Sequence, residues 1–314
     1  MPLPLKPSAL RPGDAVRILS LASPVEECAL VKGIAELERL GYRVDLDSQS
    51  GLAREGYFAG SSSMRSAALT QALAESNSRA IFCSRGGYGS NYLLECLETL
   101  PRTPKILLGH SDITSLQVFL WQKFGWITLY GPMVASNFAH GNAAPNGYEL
   151  ESLSHALNET QHGWTVDLKG ECLNSGSTEG MLLGGCLTLI ETTLGTPWEL
   201  DTRGAVLILE DRGMKPYQVD RTLMHLKQAG KLQSLAGIIL GDFPECEAAT
   251  GVETVKSVAG RILGPLGIPV VWGAAVGHTE RPMLTLPLGV RAHLTVEGRA
   301  GKTQLEILEP ACGP

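Results

Sequence analysis

The sequence predicts an α/β protein whose N-terminal half holds a mostly parallel sheet with helices on both faces. Three observations support this fold class. With 314 residues, 44% hydrophobic and 18% charged, the chain can bury one large core or two medium ones, and the usual domain size favours two. Short apolar runs alternate with helical patterns through residue 124. The alternation stops at the small, turn-rich stretch AHGNAAPNG (139–147), which marks a domain boundary.

The first strand and helix follow the turn Pro12-Gly13-Asp14. Residues 15–20 (AVRILS) form a continuous apolar run typical of a buried strand. The next apolar residues are spaced four, three and three apart, as on a helix: Leu30, Ile34, Leu37 and Leu40. Gly41 ends this helix, and residues 43–47 (RVDLD) alternate like a strand. Ser62 or Ser63 can cap the second helix.

Two further strands lead into the segments where we expect chemistry. The strand RAIFCS (79–84) precedes the glycine-rich RGGYG (85–89) and a helix over 92–97. The strand KILLG (105–109) precedes a helix over 113–124. Functional residues of such sheets lie at the carboxyl ends of the strands. RGGYG and the residues after KILLG are therefore the first candidates.

The C-terminal half is predicted to be a smaller, mixed α/β unit that ends in short antiparallel strands. Strands are predicted at 164–168, 205–210, 236–241 and 268–273, and antiparallel strands within 283–308. Helices are predicted at 184–195, 217–229 and 252–263. The predicted organisation is an α/β domain at 1–140, a linker or crossover at 141–175, and a C-terminal domain at 176–314.

Charge and cysteine content argue against several classes of protein. Lys and Arg number 26 and Asp and Glu 32, and the resulting formal charge of −6 argues against a nucleic-acid partner. No apolar run reaches the roughly 18 residues that span a bilayer, so we expect no membrane partner. The seven cysteines include no Cys-x-x-Cys pair and suit neither a disulfide framework nor a zinc site. We expect a cytoplasmic protein without a metal or cofactor.

Ser111 lies between an apolar strand and a helix, within GHSDIT (109–114). This is the position of a nucleophile elbow, where a serine hydroxyl is exposed at a helix N-terminus. The backbone N–H of Asp112 would then point toward an oxyanion, assisted by the helix dipole. The alternative is that Ser111 or Asp112 only caps the helix. Ile113 also stands where the usual elbow has its second glycine.

A serine nucleophile needs a base and a group that orients the base. His278 follows a strand in a glycine-rich loop, where an imidazole has no packing role. His110 adjoins the serine, but neighbours at a tight turn usually point apart, which makes it a poor base. Glu210 ends an apolar strand, where it either caps a helix together with Asp211 or belongs to the active site.

The glycine-rich RGGYG lacks the lysine of a P-loop and the glycine spacing of a dinucleotide-binding fingerprint. Its glycines suit a close approach of backbone N–H groups to a reacting carbonyl. We therefore expect Gly86 or Gly87 to form the second arm of an oxyanion hole. Arg85 lies beside them, and its guanidinium suits a substrate carboxylate.

Seven segments, in order along the chain, resemble the serine LD-carboxypeptidases, the murein tetrapeptide carboxypeptidase family. They are RGGYG (85–89), PKILLGHSDIT (104–114), YGPM (130–133), GMLLGGCLTLIETTLGTPW (180–198), LILEDRGMKPYQVDRTLMHLKQAGKL (207–232), GIILGDF (237–243) and GHT (277–279). The resemblance implies a flavodoxin-like N-terminal domain that bears the serine, a C-terminal domain that bears the acid and base, and commonly a homodimer. It assigns the nucleophile to Ser111, the acid to Glu210 and the base to His278.

Four positions depart from the pattern of this family. His110 replaces an aromatic residue before the serine, and Tyr130 replaces a frequent histidine before GPM. Met214 stands where an acid is frequent, and Cys186 replaces the asparagine of a GG-N motif. No departure removes a member of the triad, but each can alter the substrate pocket.

The resemblance implies hydrolysis of the bond between an L-configured centre and a terminal D-amino acid, as in cytoplasmic recycling of peptidoglycan tetrapeptides. The partner is then a small peptide. A related alternative is a microcin C immunity-type peptidase, which cuts a peptide-like bond in an aminoacyl-nucleotide conjugate. That substrate calls for aromatic stacking, for which Trp164 and Trp198 are candidates. A hypothesis of another class is a non-catalytic sugar- or nucleotide-binding module.

Overall fold

The computed structural model describes residues 2–46, 52–97, 103–158, 162–247, 253–298 and 301–314. The chain forms two β-sheets with helices packed against them, which confirms the predicted α/β fold class. Asp47, the predicted end of the second strand, and Val252, the predicted start of a helix, lie outside the described residues. Among the described helices, none has the length and apolar content to cross a bilayer.

The strands are β1 (Ala15–Leu19), β2 (Arg43–Leu46), β3 (Ala80–Cys83), β4 (Ile106–Gly109), β5 (Thr128–Tyr130), β6 (Trp164–Asp167), β7 (Glu171–Asn174), β8 (Gly176–Cys186), β9 (Ala205–Glu210), β10 (Gly237–Gly241), β11 (Val270–Ala274), β12 (Leu286–Leu288), β13 (Val290–Val296) and β14 (Thr303–Ile307). The helices are α1 (Glu27–Arg39), α2 (Ser62–Ala74), α3 (Thr114–Phe124), α4 (Leu150–Leu157), α5 (Leu187–Glu191), α6 (Pro216–Gln228) and α7 (Val255–Leu263). Short 3₁₀ segments cover Ser90–Cys96, Ser111–Ile113 and Gly264–Leu266, and a π-helical turn covers Val134–Phe138.

The first sheet has six strands in the order β12-β5-β4-β3-β1-β2. Strands β1 to β5 are parallel, and their order 2-1-3-4-5 is that of flavodoxin-like folds. All residues of β3 and β4 are buried, as expected of parallel strands covered by helices on both faces. Strand β12 comes from the C-terminal part of the chain and pairs antiparallel with β5, with Leu286 opposite Tyr130.

The second sheet has eight strands in the order β6-β14-β13-β8-β9-β10-β11-β7, and is the larger of the two by strand count. Strands β8 to β11 are parallel, and the strands that flank them are antiparallel. The tail forms antiparallel strands, as the sequence predicts. Glu210 is the last residue of β9, and the chain after β11 leads to His278.

One cluster of buried apolar side chains extends from the first sheet into the second. It contains Phe82 and Leu108 from the first sheet together with Ile208 and Val271 from the second. Apolar burial is the main favourable term in folding. This cluster therefore holds the two sheets together, with the end of β5 close to the end of β9.

The end of β8 differs most from the sequence-based prediction. A helix was expected over 184–195, but Gly184 and Gly185 still belong to the strand and α5 covers only Leu187–Glu191. A Cβ on Gly184 would lie 2.0 Å from the carbonyl oxygen of Ile208 on β9. Gly184 therefore permits a close strand pairing that a helical pattern does not reveal.

Two smaller differences concern a helix cap and the predicted linker. Ser61, rather than Ser62 or Ser63, caps α2, because its Oγ accepts the Met64 N–H at 3.2 Å. The segment 141–175 contains α4, β6 and β7. The domain boundaries at 140 and 176 remain predictions.

Candidate active site

A cavity of about 750 Å³ opens where the carboxyl ends of strands from both sheets meet. The sequence-predicted residues Ser111 and His278 both line it, as do Arg85, Gly86 and Gly87. Ser111 follows β4, His278 follows β11, and the three residues of the glycine-rich loop follow β3. The fold thus brings residues far apart in the sequence to one cavity.

Ser111 has the backbone geometry of a sharp strand-to-helix elbow. Its φ of 61° lies in the left-handed region, which is uncommon for a residue with a side chain. It begins the 3₁₀ segment that leads into α3. The N-cap positions of the two segments are His110 and Ile113, and neither side chain makes a capping hydrogen bond. Neither Ser111 nor Asp112 therefore occupies the N-cap position of either segment.

The buried side chain of Asp112 fastens the glycine-rich loop to the elbow. Its Oδ2 accepts the Ser90 N–H at 2.7 Å, and the Ser90 hydroxyl donates to the Asp112 carbonyl oxygen at 2.6 Å. Arg65, also buried, donates from Nη1 to the Gly89 carbonyl oxygen at 2.7 Å. Burial raises the pKa of Asp112. The bonds of Ser90 hold the end of the glycine-rich loop against the 3₁₀ segment that leads into α3, and Arg65 fastens the same loop to α2.

Gly86 lies directly against the serine. A Cβ on Gly86 would be 2.8 Å from the Ser111 Cβ and 3.5 Å from the Asp112 backbone nitrogen. Gly87 has a φ of 107°, and a Cβ there would be 2.3 Å from the Ser23 Oγ. Both positions therefore require glycine for close packing.

Glu210 and His278 form a hydrogen-bonded pair. The Glu210 side chain is fully buried, and its Oε2 contacts the His278 Nδ1 at 2.7 Å and accepts the His278 backbone N–H at 2.9 Å. Gly277, at φ 65°, permits this approach, because a Cβ there would lie 2.2 Å from the Glu210 Cδ. With Nδ1 engaged, the Nε2 of His278 is the nitrogen free to exchange a proton.

The two partners shift each other's pKa in opposite directions. Burial raises the pKa of Glu210, but the charge of His278 and the hydrogen bonds from His278 and Tyr130 outweigh burial, so the carboxyl pKa is lowered. Burial lowers the pKa of His278, but the carboxylate of Glu210 outweighs burial, so the imidazole pKa is raised above 6.5. The pair thus combines an ionised acid with an imidazole that titrates above its ordinary value.

Two residues beside the triad candidates, Tyr130 and His110, stand out in the sequence chiefly because they depart from the family pattern. Tyr130 is fully buried, and its hydroxyl donates to the Glu210 Oε1 at 2.5 Å. His110 contacts the Gly131 carbonyl oxygen through Nδ1 at 3.0 Å, and burial lowers its pKa to about 4. Their positions at the ends of β5 and β4 could have predicted that both lie at the site, because the carboxyl ends of neighbouring parallel strands meet.

The other two departures lie at different distances from the cavity. Cys186 lines it and donates from Sγ to the Asp211 Oδ2 at 3.5 Å, and burial raises the pKa of its thiol. Met214 accepts the Thr188 hydroxyl at its sulfur at 3.4 Å and does not line the cavity. Within the described ranges, no cluster of three or more His, Cys, Asp or Glu could hold a metal ion.

The suggested stacking platforms Trp164 and Trp198 are not at the site. Trp164 is buried on β6 and stacks on His155 with ring centroids 5.2 Å apart. Trp198 packs edge-on against Phe119 at 5.6 Å. Neither ring lines the cavity, because both are committed to packing elsewhere.

Two family models match the chain. The LD-carboxypeptidase N-terminal domain matches residues 16–131, and the LD-carboxypeptidase C-terminal domain matches residues 179–294. The probable murein peptide carboxypeptidase of Bacillus subtilis is 32% identical, over 98% of this chain and 96% of its own. The microcin C7 self-immunity protein MccF of Escherichia coli is 27% identical, over 94% of each chain.

Solved structures agree with these matches. MccF in complex with glutamyl sulfamoyl guanosine has a TM-score of 0.87 at 25% identity, covering 99% of this chain and 100% of that chain. The muramoyltetrapeptide carboxypeptidase from Oxalobacter formigenes has a TM-score of 0.80 at 28% identity, covering 94% and 99%. These similarities contradict the hypothesis of a non-catalytic binding module. The chain belongs to the LD-carboxypeptidase family and is a serine-type carboxypeptidase.

Proposed function

We propose that the protein removes a terminal D-amino acid from murein tetrapeptide by cleaving its bond to an L-configured centre, in peptidoglycan recycling. One observation carries the proposal: the elbow serine and the histidine bonded to a buried glutamate line the same cavity. Ser111, His278 and Glu210 are the proposed nucleophile, base and acid.

In the proposed reaction, the Ser111 Oγ attacks the scissile carbonyl carbon while the His278 Nε2 takes the serine proton. The imidazolium then protonates the leaving amine, and the D-amino acid departs. Water attacks the resulting acyl-enzyme with His278 again as base, which releases the shortened peptide and restores the serine. Glu210 keeps the imidazole in the required tautomer and stabilises its cation.

The oxyanion of the tetrahedral intermediate needs donors close to the serine. We assign this role to the backbone N–H of Asp112 and to the N–H groups of Gly86 or Gly87. Support comes from the 3.5 Å between a Cβ built on Gly86 and the Asp112 nitrogen, which brings the two backbone segments together beside Ser111.

A Gly86→Ala substitution tests this assignment. Its Cβ would lie 2.8 Å from the Ser111 Cβ and 3.0 Å from its Oγ, so the loop must move away from the serine. We expect kcat to fall by about 100-fold, the loss typical of removing one oxyanion donor. Gly260→Ala on α7 is the control, since a Cβ there meets no atom within 4 Å. Equal kcat values for the two variants would refute the role of Gly86.

Arg85 is the proposed site for the terminal carboxylate of the substrate. It is exposed at the cavity, and its Nη1 donates to the Pro24 carbonyl oxygen at 3.1 Å. Arg212, which also lines the cavity, is paired with Glu245. The guanidinium of Arg85 is thus the more available of the two for a carboxylate.

We expect Arg85→Met to raise KM by about 10- to 100-fold with kcat within about twofold, because a contact to a non-reacting carboxylate contributes equally to ground and transition states. The matched control is a peptide whose terminal carboxylate is an amide. The amide peptide should be a poor substrate of both enzymes. Its KM should be the same for the wild type and for Arg85→Met. A KM for the acid substrate that stays unchanged in Arg85→Met would remove Arg85 from substrate binding.

The second candidate substrate is an aminoacyl-nucleotide conjugate, favoured by the similarity to MccF bound to aspartyl sulfamoyl adenosine, with a TM-score of 0.87. Against it, neither candidate stacking tryptophan reaches the cavity. Incubation with murein tetrapeptide and separately with aspartyl sulfamoyl adenosine, followed by mass spectrometry, decides between them. Loss of one terminal alanine supports the murein proposal. Cleavage of the nucleotide conjugate alone supports the second candidate.

We further propose a cytoplasmic homodimer, with a nucleophile-bearing domain at 1–140, a crossover at 141–175 and a C-terminal domain at 176–314. All seven cysteines are unpaired, which suits a reducing compartment. Light scattering on the purified protein gives the oligomeric state.

A further inference from the structure

We infer that Tyr130 is a positioning residue of the active site, which links the nucleophile elbow to the catalytic acid through one phenol hydroxyl. This inference rests on the proposed roles of Ser111, His278 and Glu210. The hydroxyl donates its proton to the Glu210 Oε1 at 2.5 Å and accepts the Ser111 backbone N–H at 3.3 Å. One buried oxygen atom thus contacts both halves of the proposed catalytic apparatus.

Tyr130 completes the set of partners around the Glu210 carboxylate. Oε2 takes the two bonds from His278, and the bond from Tyr130 is the one that the described residues supply to Oε1. Both carboxylate oxygens are therefore held, which fixes the plane of the carboxylate. A fixed carboxylate in turn fixes the imidazole, because the orientation of His278 depends on the bond at Nδ1.

The same hydroxyl also affects the nucleophile. The Ser111 N–H points to Tyr130 and is not available to a substrate oxygen, which leaves the oxyanion to the Asp112 N–H and the glycine-rich loop. The bond additionally holds the elbow at its positive φ of 61°. Tyr130 therefore supports the serine backbone and the acid at the same time.

The surroundings keep the phenol a neutral donor. Tyr130 is faced by Glu210 at the end of β9, by Cys186 at the end of β8, and by the His110 ring with centroids 6.1 Å apart. Burial, together with the charge of Glu210, raises the phenol pKa. His278 is faced by Glu210, by the charged Asp211 and Arg212, and by the His110 ring at 5.5 Å. Among the groups that face His278, Glu210 is the one that the Tyr130 hydroxyl contacts directly.

The test is a Tyr130→Phe variant, which removes one oxygen and keeps the ring that fills the core. A carboxylate that loses a donor is a stronger base toward its remaining partner. In NMR titrations of histidine-labelled protein, the His278 pKa should therefore rise, by roughly half a unit to one unit. We expect kcat to fall by about 10- to 100-fold with KM within about twofold, and the acid limb of kcat/KM to move to higher pH.

Tyr148→Phe is the matched control. Tyr148 is also fully buried, and its hydroxyl donates to the Glu36 Oε1 at 2.6 Å, outside the cavity. This variant should lose comparable thermal stability while the His278 pKa and kcat stay at wild-type values. In a Glu210→Gln background, Tyr130→Phe should lower kcat by a smaller factor than it does in the wild type, because the part of its effect that passes through the carboxylate is already lost.

An unchanged or lowered His278 pKa in Tyr130→Phe, or a kcat within twofold of wild type, would overturn the inference. So would a loss of kcat in the Glu210→Gln background that is as large as the loss in the wild-type background. The NMR titration needs no substrate, so it distinguishes two failures. A raised His278 pKa in an enzyme that cleaves no murein peptide would keep Tyr130 as the link and reject the proposed function.

Discussion

Ser111→Ala should abolish peptide cleavage, with a loss of at least about 10⁴-fold in kcat, because no other group can form the acyl-enzyme. The fold should stay intact. Ser111 is only partly buried at the elbow, so removing its hydroxyl leaves no core cavity, and the free energy of unfolding should change by less than about 1 kcal/mol. Steady-state kinetics and thermal unfolding of the purified variant measure both effects.

Ser115→Ala is the control for this experiment. Ser115 is a buried serine on α3, four residues beyond the elbow, and its loss should leave kcat unchanged. A serine-directed phosphonate should label wild type and Ser115→Ala at Ser111, and should not label Ser111→Ala. Retention of more than a tenth of wild-type activity by Ser111→Ala would reject it as the nucleophile.

His278→Ala should be about as inactive as Ser111→Ala, and the double variant little worse, because members of one catalytic unit are not additive. The wild-type pH profile should show the same group. A protonated imidazole cannot accept the serine proton, so kcat/KM should rise with pH as His278 loses its proton. Because the carboxylate of Glu210 raises the His278 pKa, the midpoint of this acid limb should lie above 6.5.

Glu210 stays ionised across this range because its pKa is lowered, so it should add no second limb near neutral pH. His225→Ala, at an exposed position on α6 paired with Glu191, is the control and should retain full activity. A flat acid limb or an active His278→Ala enzyme would contradict the assignment. His110 would then be the next candidate base, although its pKa of about 4 and its contact with the Gly131 carbonyl oxygen make it a weak one.

The sequence predicted most of what depends on local pattern. Strands β3, β4 and β9 each appear as apolar runs, and the polar residues that follow or end such runs include Ser111 and Glu210. Because parallel strands present their carboxyl ends at one edge, listing such residues yields good candidates. Gly86 and Gly87 of RGGYG were placed near the serine by the same argument.

Features that depend on strand order were out of reach. The bond from Tyr130 to Glu210 exists because the end of β5 faces the end of β9, which belongs to the other sheet. Trp164 and Trp198 were suggested as platforms because a nucleotide substrate calls for aromatic stacking, but the sequence did not reveal that each packs on a neighbouring ring. The paired glycines before α5 likewise read as helix because a single sequence does not show which strand lies beside them.

Strand β12 determines how this chain can be divided. The first sheet is not encoded by one continuous stretch, since its edge beside β5 is supplied by Leu286–Leu288. A fragment that stops at residue 140 would leave β5 as a bare apolar edge, and such edges favour self-association. Exchange of parts between relatives must therefore move this strand together with the N-terminal sheet. The part that can be exchanged as a unit is therefore the complete first sheet, which two separate segments of the chain encode.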